Sequence, residues 1–186
     1  MIATYQRFLE IQDGKYGFKD GNGKVVSDCI YDRVIVEKEN DYPYEEIYFI
    51  DGIARVNKDD KWGYINMDGK VIGDIKYKKV NRFGPDFAFV IDENNRWVRI
   101  TRRGELSAIM DCVNIHEFSE NVAIMEIKGS LGMTKYGFID FDGNIVISPK
   151  YDYAEDFNEG YAKVRKGNKW GYIDKNDNWL NKKPRF

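Results

Sequence analysis

One short pattern occurs five times along this chain, and that recurrence narrows the fold more than any other feature. The copies are Lys15-Tyr16-Gly17-Phe18, Lys61-Trp62-Gly63-Tyr64, Arg96-Trp97-Val98-Arg99, Lys135-Tyr136-Gly137-Phe138 and Lys169-Trp170-Gly171-Tyr172. They start at residues 15, 61, 96, 135 and 169, so the intervals are 46, 35, 39 and 34 residues. Periods of this size belong to repeat architectures, in which each copy is one small supersecondary unit.

More than the anchor recurs. Eight residues on stand Gly23, Gly69, Gly104, Gly143 and Asp177, residue types that accept the positive φ of a tight hairpin turn. Sixteen on stand Tyr31, Tyr77, Cys112 and Tyr151, and twenty-two on stand Phe83, Phe118 and Phe157. The first copy reaches its Phe49 only after 34 residues, so it carries an insertion of 12. Five residues after those phenylalanines come Ala54, Ala88, Ala123 and Ala162, and two later Val56, Val90, Met125 and Val164. By strand alternation each pair shares one side, and an alanine in register four times predicts a close approach there.

Each unit therefore reads as three short strands: one with the alanine, one with the aromatic-glycine pair, and one after the turn. The expected fold is all-β: five tandem three-stranded antiparallel meanders stacked as an open twisted array, with a closed propeller-like ring as the alternative. One domain spans residues 1–186, with units at about 4–32, 53–80, 87–115, 122–154 and 161–183 and the insertion at 36–48. In the second strand, Trp62 and Tyr64 face one way and Gly63 and Ile65 the other. Glycine leaves bare backbone on which a neighbouring aromatic can lie. Tyr16, Gly17, Trp62, Gly63, Trp97, Tyr136, Gly137, Trp170 and Gly171 are accordingly read as repeat joints. Doublets such as Val71-Ile72 and Ile145-Val146 suggest sheets covered on both faces. A lone unit cannot bury that surface, whereas stacked units can.

From about Arg7 to Asn181 the chain resembles the WG-repeat family of bacteria. The likeness is strongest at "KWGYINMDGKVI" from Lys61 and at "KYGFIDFDGNIVISPKYDYAEDFNEGYAKVRKGNKWGYID" from Lys135. It implies β-rich repeats that bind other molecules, and no catalytic residues. Unit three departs from the pattern, with Val98 for glycine, Arg99 for the second aromatic and Cys112 for tyrosine.

Lys and Arg number 29 against 31 Asp and Glu, so no global field draws nucleic acid. The basic stretches at 76–82, 96–103 and 181–186 are read as solvated sheet edges. The longest apolar run, Phe87 to Ile91, is too short to span a bilayer, and the start of the sequence does not read as a signal peptide. Cys29 and Cys112 suit reduced thiols in a cytoplasmic protein. The only histidine is His116, and a Cys112–His116 nucleophile pair lacks a third group to activate it. No enzyme activity, cofactor or metal is expected.

The favoured function is a non-enzymatic protein-binding module: an inhibitor, immunity protein or adaptor. Aromatics make up 15% of the chain, so carbohydrate or another small ligand held by exposed Trp and Tyr is the alternative. The insertion supplies the candidate partner-binding residues Glu37, Glu39, Asp41, Tyr42, Tyr44, Glu45, Glu46 and Tyr48. Five acids and three tyrosines around Pro43 offer a cationic partner both charge and apolar contact.

Overall fold

The computed structural model describes residues 7–35, 49–108 and 111–180. Unit one is a three-stranded sheet of β1 (Arg7–Gln12), β2 (Lys15–Asp20) and β3 (Val25–Tyr31). Unit two comprises β4 (Arg33–Val34), β5 (Ile53–Lys58), β6 (Lys61–Asn66) and β7 (Val71–Tyr77). Unit three comprises β8 (Lys79–Val80), β9 (Phe87–Ile91), β10 (Trp97–Thr101) and β11 (Leu106–Ala108). Unit four comprises β12 (Asn114–Ile115), β13 (Val122–Lys128), β14 (Thr134–Asp140) and β15 (Ile145–Tyr151), with a 3-10 turn at Ser130–Gly132 in its first hairpin. Unit five comprises β16 (Tyr153–Ala154), β17 (Ala162–Lys166), β18 (Lys169–Ile173) and β19 (Trp179–Leu180). Every pairing is antiparallel between sequence neighbours.

Four of the five sheets thus hold a fourth strand beyond the expected three. The dipeptides β4, β8, β12 and β16 follow the third strand of one unit yet hydrogen-bond to the first long strand of the next. The chain therefore hands over between sheets at Tyr31, Tyr77 and Tyr151, ahead of these dipeptides, and each dipeptide begins the following sheet.

The hairpin turns form where Gly and Asp were expected. Gly23, Gly69, Gly104, Gly143 and Asp177 all have φ between 65° and 86°. A side chain three residues before each of these positions caps the turn: Asp20, Asn66, Thr101 and Asp174 each accept the backbone N–H groups two and four residues on, and Asp140 accepts the one four on. These side chains are occupied in turn geometry.

The apolar core is divided into four clusters, each shared by two successive units. Phe18 and Tyr31 meet Ala54, Val56 and Ile65; Tyr64 and Tyr77 meet Phe83, Ala88 and Val90. Phe89 and Trp97 meet Ile115, Ala123 and Met125; Phe138 and Tyr151 meet Phe157, Ala162 and Val164. The repeated alanine and its partner two residues on therefore always face the preceding unit, and the alternate residues face the following one. All four alanines are essentially inaccessible, as close stacking requires. The clusters run in a line with no closed barrel, and the array is open, as expected of a solenoid stabilised by nearest-neighbour interfaces. Cover is incomplete on unit four, where Ile145 and Val146 are both exposed, against the expectation of two covered faces. No helix among the described residues is long and apolar enough to cross a membrane.

Candidate functional site

The glycine of each anchor has a local cause. In units one, two and four the third strand bulges as it passes this glycine, with register shifts between Tyr16 and Phe18, Trp62 and Tyr64, and Tyr136 and Phe138. A Cβ on Gly17 would lie 2.6 Å from Ser27 O, and one on Gly63 would lie 2.9 Å from Asp74 O and Ile75 Cα. A Cβ on Gly137 would come 2.6 Å from Pro149 N. The bare face thus receives the bulged backbone of the same unit and not, as the sequence suggested, a ring from a neighbour. At Gly171 an aromatic does close the space, Trp179 of the neighbouring strand, as the sequence allowed. In unit three Val98 pairs directly with Ala108, and the described third-strand residues Leu106–Ala108 run without a register shift, as Trp179–Leu180 do beside Gly171 in unit five.

Units are joined instead by the second aromatic of the anchor. Phe18 meets Phe49 with centroids 4.9 Å apart at 74°, Tyr64 meets Phe83 at 4.7 Å and 73°, and Phe138 meets Phe157 at 4.8 Å and 68°. These are edge-to-face pairs with the favourable quadrupole arrangement. Each phenylalanine lies between the anchor and the first long strand of the next unit. Both halves of this joint stood at fixed offsets in the sequence, yet nothing there matched one to the other. In unit three Arg99 replaces the aromatic and lies over the Phe87 ring at 4.2 Å. Phe118, deprived of an edge partner there, stacks on Phe141 at 3.9 Å and on Phe89 at 5.7 Å.

A polar clasp accompanies the joint at both ends of the array. Lys15 and Lys135 bond to Asp32 and Asp152, which also accept the backbone N–H of Asp59 at 2.8 Å and Gly167 at 2.6 Å. The lysine hydrogen bonds and then these N–H groups hold both carboxyls below the ordinary aspartate range.

The expected site residues separate under this geometry. The eight acidic and tyrosine candidates between Glu37 and Tyr48 lie outside the described residues. Cys112 packs against the cluster of Trp97, Ile115 and Met125, and burial, with Asp111 adding, pushes its thiol up to about 11. That is the opposite of what a nucleophilic thiolate needs. His116 Nε2 hydrogen-bonds Glu126 Oε1 at 2.5 Å, within a sheet. No group of three or more metal-ligating side chains stands together among the described residues. Several cations of the basic stretches are engaged: Arg96 with Asp92, Lys79 with Asn114 and Ile115 O, and Arg102 with the carbonyls of Asp51, Gly84 and Pro85. The stretch 181–186 lies outside the described residues. Arg82, Arg102, Phe83 and Phe118 line a cleft of about 390 Å³ beside the irregular unit.

The first aromatic of the anchor is covered unevenly. Trp97 is 5% exposed with Lys79 above its ring, and Trp62 is half-buried under Arg33. In unit five Trp170 is 50% exposed and Tyr153 38%, their ring centroids 5.4 Å apart. Lys163 and Arg165 lie 5.1 and 5.6 Å from the Trp170 ring centre, within cation–π range. Tyr136 continues the row at 6.4 Å from Tyr153. This aromatic and cationic face is the most open apolar surface that the anchors provide.

Comparison with known proteins agrees with the array. No curated protein matches the sequence. Among solved structures, the crystal structure of the computationally designed Ika8 protein is similar over 90% of this chain and 57% of its own, at 9% identity and a TM-score of 0.41. The family model described as "WG containing repeat" matches residues 16–40, 44–62, 62–97 and 136–170. Its gap opens at Val98, in the unit that departs from the pattern. With more than half of the chain matched and the anchors in repeated settings, this protein belongs to the WG-repeat family.

Proposed function

We propose that this chain is a non-enzymatic protein-binding module. The observation that carries the reading is the pair Trp170 and Tyr153, left open on a rigid sheet and flanked by Lys163 and Arg165. Rigid aromatics beside cations are the residue types that anchor protein interfaces, because they bury much area at little entropic cost. The 36–48 insertion joins the proposal on composition alone, its five acids and three tyrosines suiting a cationic partner. An inhibitor, immunity protein or adaptor in a bacterial cytoplasm fits this reading, and two free cysteines are in keeping with a reducing compartment.

Affinity capture from an extract of the source cell tests the reading, comparing the intact chain with Trp170→Ala and with a deletion of residues 36–48. A partner retained by the intact chain and lost with either change supports it. Retention indifferent to both changes, or no specific retention, overturns it. Carbohydrate binding at the same rings is the second reading. It is less favoured, because a sugar needs an open apolar ring face and cations already lie over Trp170.

A further inference from the structure

Every unit has a side that faces its predecessor and a side that faces its successor. The successor side is built from the residue after the repeated alanine, the residue two further on, and the two anchor aromatics. In unit two these are Arg55, Asn57, Trp62 and Tyr64; in unit four, Ile124, Glu126, Tyr136 and Phe138; in unit five, Lys163, Arg165, Trp170 and Tyr172. Within the array this side receives a phenylalanine ring from the next connector and, in unit two, a carboxylate from the connector after that one. A phenylalanine seats edge-on against the second aromatic, as Phe83 does on Tyr64 and Phe157 on Phe138. In unit two a cation follows the alanine and a carboxylate meets it: Arg55 Nη1 donates to Glu117 Oε1 at 2.8 Å, from the connector that leads into unit four.

Unit five repeats the receiving half of both contacts. Tyr172 occupies the position of Phe18, Tyr64 and Phe138, which are fully buried, yet it is only half-buried, and no ring lies against it among the described residues. Lys163 stands where Arg55 stands. Hairpin residues 162–172 carry Lys163, Arg165, Lys166 and Lys169 with no acid among them, in a chain of net charge −2. The acids at its margin are already opposed, Glu155 by Lys163 at 3.6 Å and Asp152 by Lys135. Arg165 Nε is enclosed and lacks a hydrogen-bond partner.

We infer that this face of unit five docks an extended segment of another protein carrying phenylalanine beside carboxylates, the ring seated as Phe83 and Phe157 seat within the array and the carboxylates matching the cations of the hairpin. The inference rests on the protein-binding reading and names the partner's chemistry. The phenylalanine ring seats on Tyr172 beside Trp170, and the flanking carboxylates accept hydrogen bonds from Lys163 and Arg165. A face that also borders Glu155 and Asp152 favours discrete carboxylates over a continuous polyphosphate.

The probe is a fluorescein-labelled synthetic peptide of sequence GEEFDEG, titrated with the intact chain by fluorescence anisotropy at low and moderate salt. Saturable binding is expected, weakened about 10-fold or more when the peptide phenylalanine becomes alanine. A similar loss is expected in the Lys163→Glu, Arg165→Glu double variant, whose side chains are half-exposed and whose fold circular dichroism confirms. Rising salt should weaken binding by screening. Tyr172→Ala should lose affinity, and Tyr172→Phe should keep it. No binding at millimolar protein, binding indifferent to the peptide phenylalanine, or displacement of the peptide by single-stranded polyuridine at lower concentration than by unlabelled peptide overturns the inference. Peptide failure alongside partner capture that Trp170→Ala or the loop deletion abolishes removes this inference alone. Failure of the peptide together with failure of partner capture removes both readings.

Discussion

The glycine of the anchor offers the sharpest test, because two opposing effects give different signs. Gly137 has an ordinary negative-φ backbone and is absent from the residues at positive φ, so alanine there suffers no torsional strain. By chain entropy alone Gly137→Ala would stabilise the fold by about 0.4–1 kcal/mol. Against this, the new Cβ would stand 2.6 Å from Pro149 N, 2.8 Å from Pro149 Cα and closer still to Ile147 O. All three are backbone atoms of the bulge, so no flexible side chain can swing away. Overpacking of this kind costs about 1–3 kcal/mol, and rigid neighbours place this site near the upper end. The net expectation is a loss of about 2 kcal/mol, which for a chain of this size lowers Tm by about 4–8 °C. Thermal unfolding followed by circular dichroism, with urea denaturation as a second measure, reads it directly. A Tm unchanged or raised in Gly137→Ala would refute the account of the glycine as room for the bulge.

Two further outcomes follow from the joints. Phe157→Ala removes a buried ring held edge-to-face on Phe138, and should destabilise by about 3–5 kcal/mol in urea titrations, where a loss under 1 kcal/mol would argue against the joint. The Asp152 carboxyl is held below the ordinary aspartate value of 3.8 by Lys135 and then by Gly167 N–H, so its contribution is present above that value and disappears as pH falls through the lower folded one. Asp152→Asn should therefore flatten the fall of stability with pH below about 4, and an acid limb identical to that of the intact chain would contradict the clasp.

Much of the array could be seen in the residues themselves. Strands, hairpin turns and the alternation of faces follow from local rules, because side chains alternate at period two and Gly or Asp marks each positive-φ turn. The offset of Ala54, Ala88, Ala123 and Ala162 foretold a close approach, and that approach is where consecutive units meet. The anchor glycine was harder. Its bare face looked like a seat for a ring, but a bulge adds residues to one strand only, and nothing in the sequence marks where a ladder slips. In unit three, where Val98 replaces the glycine, the described third-strand residues Leu106–Ala108 keep their register, as do Trp179–Leu180 beside Gly171 in unit five. The candidate site was less legible. The insertion drew attention by composition, while the open face of unit five looked like any other copy.

The sequence alone determined that this chain is built of five β-units of one family, since each unit encodes its own strands, turns and two-sided alternation within some forty residues. Which aromatic joins one unit to the next, and which face stands open among the described residues, were decided only by the tertiary structure. Both depend on what lies opposite a side chain after stacking and strand slippage, and residues such as Phe138 and Phe157 meet only when two separate sheets are brought together.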